Sequence, residues 1–452
     1  MFIDTHCHLF FPNFETDLDE VIDRAKNNGI DYIIVPATDI ATAYKVTELA
    51  SKYDFIYGAV GVHPQDCKNW DDSILKVIDE LSNEKKIVAI GEIGLDYYYD
   101  YSPKETQKIA FKQQLDLAIS KDLPAIIHNR DADIDMMNTI RLYHSNLKAQ
   151  FHCFNGSLQD AKELIEMGHY ISFTGNITFK KADALRSIVS SIDINNILIE
   201  TDSPFMTPEP NRGKRNEPAN VKIVANQIAS IKSIPVEDVG RITSFNAFKL
   251  FGIGAKNETC FVYQLGNSLY INVTNRCNAN CVFCDRKGEA SLHGYNLKMN
   301  KQQEPAAGVY IKAIGDPKAY DEIVFCGYGE PTIRWNIVKE VAAYVKQNGG
   351  KTRINTNGHG NVVNKRDITP EFSGIIDSVS ISLNSPDIGQ YAELMRVNKE
   401  MFNEMIAFAR KAKAYVNNVV LTVVSLDSVE IEKAREFAEN VVGVNFRVRK
   451  LF

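Results

Sequence analysis

Phe2-Ile3-Asp4-Thr5-His6-Cys7-His8 is a short β-rich run that leads into two histidines one residue apart. Alternation along an extended chain points both imidazoles to one face. Alone, such a pair carries little weight. Its meaning comes from what repeats after it. Seven further β-rich runs follow: Tyr32–Pro36, Phe55–Val60, Ile87–Gly91, Pro124–His128, Ala149–Cys153, His169–Phe173 and Ile197–Thr201. Polar-faced segments of helical period separate them, among them Asp17–Lys26, Pro103–Ser120 and Asp160–Met167. Eight βα units in roughly 250 residues predict a closed (β/α)8 barrel of the TIM type, with a doubly wound open sheet as the alternative.

The helix ending Asn246-Ala247-Phe248-Lys249-Leu250-Phe251-Gly252 closes this half, and the polar stretch Gly254–Thr259 reads as a linker. A second βα series then runs through Leu269–Val273, Glu322–Phe325, Thr352–Asn355, Ser378–Ser382, Asn418–Val424 and Gly443–Val448. Six units fit an open, partial (β/α)6 barrel. The expected organisation is a barrel over 1–255, a linker over 256–265 and a second domain over 266–452.

The whole chain, 452 residues with 44% hydrophobic and 24% charged, is long enough for each half to bury a core. Its net charge of −6 excludes a global basic field, so any nucleic-acid contact must come from a local patch or from bound cations. No apolar run reaches transmembrane length and the N-terminus lacks a signal-peptide pattern, which predicts a cytoplasmic protein without membrane contact. Cytosolic cysteines seldom pair. Of the eight cysteines, Cys7, Cys67, Cys153, Cys260 and Cys326 are scattered, whereas Cys277, Cys281 and Cys284 cluster and read as a metal site.

In the first half, metal-ligating residue types collect at strand ends. His6 and His8 follow the first run, Glu92 the fourth, His128 and His152 end the fifth and sixth, and Asp202 follows the eighth. A barrel presents its active-site loops at these C-terminal ends. Imidazole and carboxylate together suit Zn²⁺, Mn²⁺ or other divalent ions such as Mg²⁺. Six donors exceed what one tetrahedral ion needs, so two ions are expected, with Glu92 as the bridge and Asp202 as general base. The other five histidines are His63, His144, His169, His293 and His359.

These residues sit in strings that resemble the TatD family of metal-dependent deoxyribonucleases. The strings are Phe2 to His8, Gly61-Val62-His63-Pro64, Gly91-Glu92-Ile93-Gly94-Leu95-Asp96-Tyr97 and Ile127-His128-Asn129-Arg130-Asp131-Ala132. They continue with His152-Cys153-Phe154-Asn155-Gly156, Glu200-Thr201-Asp202-Ser203-Pro204 and Arg212-Gly213-Lys214-Arg215-Asn216-Glu217-Pro218, in family order over residues 1–252. The resemblance implies metal-dependent phosphodiester hydrolysis, often from a DNA 3′ end, with DNA or another nucleotide as substrate. It also implies that His63 helps to position a phosphate. Gln65 departs from the family, which commonly has a second histidine there. Arg130, Arg212, Lys214 and Arg215 offer local phosphate-binding charge, against the plainer reading of a solvated charged loop. Two other readings of the barrel remain open: it hydrolyses an amide or ester, or it serves as a docking module.

The second half carries Cys277-Asn278-Ala279-Asn280-Cys281-Val282-Phe283-Cys284 directly after its first run. Three thiolates in one loop can hold three irons of a [4Fe–4S] cluster and leave the fourth open. A zinc site would need a fourth ligand, for which Cys260, Cys326 or His293 are available. Gly327-Tyr328-Gly329-Glu330-Pro331 follows the second run. Asn355-Thr356-Asn357-Gly358 follows the third, and Ser380, Ser382 and Asn384 share a face at the fourth. Residues 266–452 thereby resemble the radical SAM superfamily. The resemblance implies S-adenosylmethionine as cofactor, an external electron donor and a 5′-deoxyadenosyl radical. By motif it puts Gly327, Gly329 and Glu330 at the methionine part. Ser382 and Asn384 fall at the ribose or carboxylate, and Phe283 beside the adenine. The remaining cysteines offer no second cluster, and the sequence does not disclose the radical substrate.

Overall fold

The computed structural model describes residues 1–143, 145–254 and 258–449; His144 and residues 255–257 of the expected linker region lie outside them. The chain divides into two compact units, Met1–Lys256 and Asn257–Phe452. No described helix is long and apolar enough to cross a membrane.

The first unit is a parallel barrel of eight strands in sequential order. They are β1 (Phe2–Asp4), β2 (Ile30–Pro36), β3 (Ile56–Val60), β4 (Ile87–Asp96), β5 (Ala125–Arg130), β6 (Ala149–Phe151), β7 (Tyr170–Phe173) and β8 (Ile197–Ile199). Alternation sorts the side chains. Ile33 and Val35 turn outward to the helices, whereas Ile34 joins Ile3, Ala59, Ile126 and Leu198 inside the barrel. Ala247, Leu250 and Phe251, at the end of the helix Val236–Phe251, complete that inner cluster. The lumen is therefore a packed core, and chemistry is confined to its upper rim.

That rim is where the barrel closes. Beyond the ends of β1 and β8 the two chains stay paired: Thr5 N donates to Ile199 O at 3.2 Å, Asp202 N to His6 O at 2.8 Å and His8 N to Ser203 O at 2.8 Å. The seam thus brings His6, His8 and Asp202 side by side.

One strand departs from expectation. β4 does not end at Gly91 but runs to Asp96, with a register shift against β5 between Ile90 and Ile93. Glu92 lies in this bulge, its N–H bonded to Ala37 O at 2.9 Å. A bulge re-aims one side chain without ending the strand, and here that side chain is the expected bridging carboxylate.

The second unit is a seven-stranded sheet. Its strands are β9 (Val262–Leu265) and β10 (Ser268–Asn272), then, after the small hairpin β11 (Ser291–Leu292) and β12 (Tyr295–Asn296), β13 (Ile323–Cys326), β14 (Thr352–Thr356), β15 (Ser378–Ser382), β16 (Asn418–Val424) and β17 (Asn445–Arg449). The sheet order is β17-β16-β15-β14-β13-β10-β9. The six expected runs are its parallel strands, and they form the partial barrel. The linker expectation needs correction: Val262–Leu265 is an antiparallel edge strand joined to β10 through Gly266-Asn267. Gly266 supplies the positive φ of +58° that such a two-residue turn requires.

Candidate functional site

In the first unit the six expected metal donors converge. They form two groups, one on each oxygen of Glu92. His6 Nε2 and His8 Nε2 lie 3.1 Å apart, at 3.3 and 3.5 Å from Glu92 Oε2 and 3.8 and 3.5 Å from Asp202 Oδ1. His128 Nδ1 and His152 Nε2 lie 3.0 Å apart, each 2.9 Å from Glu92 Oε1. His63 Nε2 stands 3.7 Å from the same oxygen.

The donor states match ligation. His8 Nδ1 donates to Pro36 O at 3.1 Å, which leaves a lone pair on Nε2 facing the site. His63 Nδ1 accepts from Gln65 N at 3.1 Å, so the proton of its neutral ring is on Nε2, directed inward as a donor. Burial drives His6 down to about 4 and His63 to about 3, keeping both rings neutral. Burial pushes Glu92 up, but His152, His6 and the hydrogen bonds from His128 and His152 hold it well below the carboxylate range. Asp202 is likewise lowered by His8, His6 and His152 against its burial. Against the pull of burial, His8 and His128 are instead raised by the neighbouring carboxylates, to about 9 for His128, and lose that proton on ligation. Imidazoles packed at about 3 Å around ionised carboxylates are a cation-binding arrangement, and this donor set fits two divalent ions sharing Glu92.

Behind the ligands stand carboxylates that motif reading passed over. Asp96 Oδ2 is 3.2 Å from His128 Nε2, a second partner that fixes the ring. Glu200 lies beneath His152, with Oε1 at 3.8 Å from Nδ1. It accepts from Cys153 N, Gln150 Nε2 and Ser172 Oγ at 2.5, 2.6 and 2.8 Å, and burial together with Asp202 and Asp4 raises it well above the usual range. Asp4, raised by burial to about 7, ties Thr201 N and Oγ1 to β1 and so supports the seam. Asp96, Glu200 and Asp4 all occur in the strings quoted above. Nothing local in the sequence marks them as supports, because their partners are 32, 48 and 197 residues away.

The cationic residues separate. Arg130 is exposed and stacks 3.8 Å over the ring of exposed Tyr98. Arg212 stacks 4.1 Å over Phe179. Arg215 does not fit the expected role as a free phosphate ligand. Its guanidinium donates to both oxygens of Asp17 at 2.7 Å and to Asn13 O at 2.6 Å, which latches the 204–218 loop to the first helix. Gln65, the family departure, is buried. It donates to Asp96 O and Tyr99 O at 2.9 Å and accepts from Tyr101 N at 3.0 Å, holding the tyrosine loop against the rim.

In the second unit Cys277, Cys281 and Cys284 line one loop after β10, all partly exposed. Burial and the other two thiols push Cys281 up to about 12. The glycines act on this loop. A Cβ on Gly329 would lie 2.2 Å from Thr274 O and 2.5 Å from Arg276 O, and Gly327 has φ +121°.

Glu330 requires a correction. Its buried carboxylate is already engaged by the protein, Oε1 by three donors and Oε2 by one. It accepts from Thr332 N and Oγ1, Thr356 Oγ1 and Asn357 N at 3.0, 2.6, 2.8 and 2.7 Å, bracing the loops after β13 and β14. Asn357 Nδ2 in turn donates to Asn278 Oδ1 at 2.8 Å. Asn278 Nδ2 lies 2.9 Å from His359 Nδ1, and His359 Nε2 2.8 Å from the Tyr391 hydroxyl. This chain, which runs from exposed Asn278 of the cysteine loop to buried His359 and Tyr391, was not legible beforehand. Asn384 is turned away from the face it was expected to share, its Nδ2 2.9 Å from Met395 Sδ, and Met395 Sδ is 3.5 Å from Cys281 Sγ. Ser382 stays on the open face, where it accepts from Arg449 at 3.2 Å. Phe283 is partly buried against the hydrophobic core.

Comparison with known proteins agrees with both geometries. Residues 3–252 match the family model described as TatD related DNase. The chain belongs to the TatD family. Residues 271–441 match the Radical SAM superfamily, so a TatD barrel and a radical SAM domain share one polypeptide. The TatD part is 46% identical over 254 residues to the metal-dependent hydrolase YabD of Bacillus subtilis, covering 56% of this chain and 100% of that protein. Among solved structures, the TatD homologue YjjV of Escherichia coli K12 aligns with a TM-score of 0.54 at 32% identity, covering 56% of this chain and 98% of the other. A TatD family hydrolase of Entamoeba histolytica aligns with 0.52 at 27%, covering 55% and 97%. The TatD unit is a metal-dependent hydrolase domain, and the chain is a bifunctional metalloenzyme.

Proposed function

We propose that the TatD unit hydrolyses phosphodiester bonds of DNA, acting from a 3′ end, and that the second unit is a [4Fe–4S] enzyme using S-adenosylmethionine. The observation that carries the first reading is the division of His6, His8 and Asp202 from His128 and His152 between the two oxygens of Glu92. Divalent ions in such a site supply Lewis acidity toward a phosphoryl oxygen and lower the pKa of water. Asp202, held ionised at the rim, accepts the proton of the attacking water, and the leaving hydroxyl recovers one. His63 Nε2–H donates to a non-bridging oxygen. Arg130 and exposed Tyr98, Tyr99 and Tyr101 form a rim of one cation and three rings, suited to a phosphate with its unstacked bases.

In the second unit Cys277, Cys281 and Cys284 hold the cluster. The bound cofactor supplies a 5′-deoxyadenosyl radical on one-electron reduction by an external donor. The chain's own part is to present the three thiolates and to keep Gly327 and Gly329 tight against their loop.

The test for the hydrolase is turnover of a 3′-labelled single-stranded oligonucleotide by the Mn²⁺- or Mg²⁺-loaded protein, beside ester and amide substrates. Activity confined to esters or amides would reject the phosphodiesterase reading. For the second unit, anaerobic reconstitution and dithionite should give 5′-deoxyadenosine, and Cys281→Ala should give none.

A further inference from the structure

The inner face of the C-terminal sheet carries a row of polar side chains. Ile271, Phe325, Ile354, Val379, Ile381 and Leu421 belong to the hydrophobic core on the helix side. Alternation sends Arg353, Ser380, Ser382, Arg447 and Arg449 to the other face. The hydrogen bonds agree: Arg447 Nη2 donates to Ser380 Oγ at 3.1 Å and Arg449 Nη2 to Ser382 Oγ at 3.2 Å, each reaching across β16. Arg447 on β17 also interacts electrostatically with Arg353, Tyr270 and Glu322.

The charges on this face are unequal in their partners. Arg353 is paired: Nε meets both oxygens of Glu322 at 3.1 Å and Nη2 meets Oε1 at 2.8 Å. The side-chain hydrogen bonds of Arg447 and Arg449 go to neutral serine hydroxyls, and among the described residues no carboxylate lies within 4.0 Å of either, although Glu322 attracts Arg447 from further away. Arg449 Nε is buried with no hydrogen-bond partner among the described residues. Burial and the charge of Arg353 lower Arg447 against Tyr270 and Glu322, and burial with the charges of Arg447 and Arg353 lowers Arg449 against Cys326 and Cys281. Arg447 is exposed and Arg449 partly buried with an unmet donor, and two like charges so placed are stabilised by an anion. Guanidinium forks match carboxylate and phosphate oxygens. Arg449 also feels Cys281, so the pair stands at the end of the sheet where the cysteine loop lies.

We propose that Arg447 and Arg449 form an oxyanion-binding pair inside the partial barrel, and that the radical domain acts on a molecule bearing a phosphate or carboxylate group. This rests on the radical SAM reading of the same unit. One other source offers the same chemistry, the carboxylate of S-adenosylmethionine itself, and the experiment separates the two.

The full-length reconstituted protein and its Arg447→Gln/Arg449→Gln variant are titrated anaerobically with inorganic pyrophosphate by calorimetry, with and without saturating S-adenosylmethionine. The TatD site is common to both proteins, so their difference isolates the pair. The wild type should bind one equivalent more than the variant, with S-adenosylmethionine present as well as absent. An Arg447→Lys/Arg449→Lys variant should recover that equivalent, which separates lost charge from a damaged fold. Equal stoichiometry in the wild type and the glutamine variant overturns the proposal. Loss of the extra equivalent when S-adenosylmethionine is added, with weakened S-adenosylmethionine binding in the glutamine variant, overturns the substrate assignment and gives the pair to the cofactor. Dithionite-driven 5′-deoxyadenosine formation by the wild type is measured in parallel, so that failure of the radical reading is distinguished from failure of the anion site.

Discussion

Gly329→Ala tests how tightly the loop after β13 holds the cysteine loop. The added Cβ would meet Thr274 O at 2.2 Å and Arg276 O at 2.5 Å, whereas ordinary contact begins at 3.4 Å. Both are backbone atoms, so the strand end carrying them must retreat by about 1 Å; no side chain can rotate away. Arg276 O also accepts from Glu330 N at 2.8 Å, and Cys277 is the next residue. Metal–ligand distances tolerate about 0.2 Å, so a shift of that size removes Cys277 from its iron. We expect a folded protein, destabilised by about 1–3 kcal/mol, with iron content at most half that of the wild type. 5′-Deoxyadenosine formation should fall at least tenfold. Hydrolysis by the TatD unit should not change. Gly308→Ala is the control, because nothing lies within 4 Å of its Cβ. Iron, sulfide and product assays on the anaerobically reconstituted proteins decide the matter. A Gly329→Ala protein with full iron and wild-type product formation would refute the reasoning.

Three further outcomes follow from the TatD site. Asp202→Asn should lower kcat on oligonucleotides by about 10²–10⁴-fold, and metal analysis should still find the ion held by His128, His152 and Glu92; an unchanged kcat would remove Asp202 from proton transfer. Arg130→Ala should raise KM and flatten its salt dependence, whereas Arg215→Ala, which breaks a part-exposed pair with Asp17, should cost less than about 1 kcal/mol of stability and little activity; the reverse order would exchange their roles. In the metal-free protein His128 is opposed by burial but held up at about 9 by Asp96 and Glu92. Its folded value lies above the unfolded value of about 6.5, so its contribution to metal-free stability is full below about pH 6.5 and is lost as pH rises through 9. Ligation requires the neutral ring. Loading at pH 7 should therefore release at least one proton, seen by calorimetry in buffers of different ionisation enthalpy, and affinity should climb between pH 7 and 9. A buffer-independent heat would contradict this.

Much of the architecture was legible because its signals are local. Each strand of the TatD barrel is a short apolar run, each is followed by a helical period, and the donors stand at run ends. The cysteine loop needs eight consecutive residues and nothing else. Boundaries were less secure. Ending β4 at Gly91 concealed the bulge that aims Glu92, and taking 256–265 as linker concealed β9, whose partner gives no sign within its own four residues. Roles failed wherever a side chain had a choice of partner. Arg215 and Glu330 carry the residue types that phosphate and ammonium recognition call for, but Asp17 in one case and Thr332, Thr356 and Asn357 in the other already satisfy them.

The sequence by itself determined that two βα domains lie in tandem, one with six donors for divalent ions and one with a three-cysteine loop. Periodicity and short spacing carry that information without reference to the rest of the fold. Only the tertiary structure decided how the donors divide over the two oxygens of Glu92, because the division depends on closing β8 onto β1, nearly 200 residues apart. Only the tertiary structure turned Arg447 and Arg449 inward. The sequence placed the last strand at Gly443–Val448, whereas it spans Asn445–Arg449. A strand's side chains alternate, so which of them enter a cavity is fixed by the register with the neighbouring strand and not by the residues themselves.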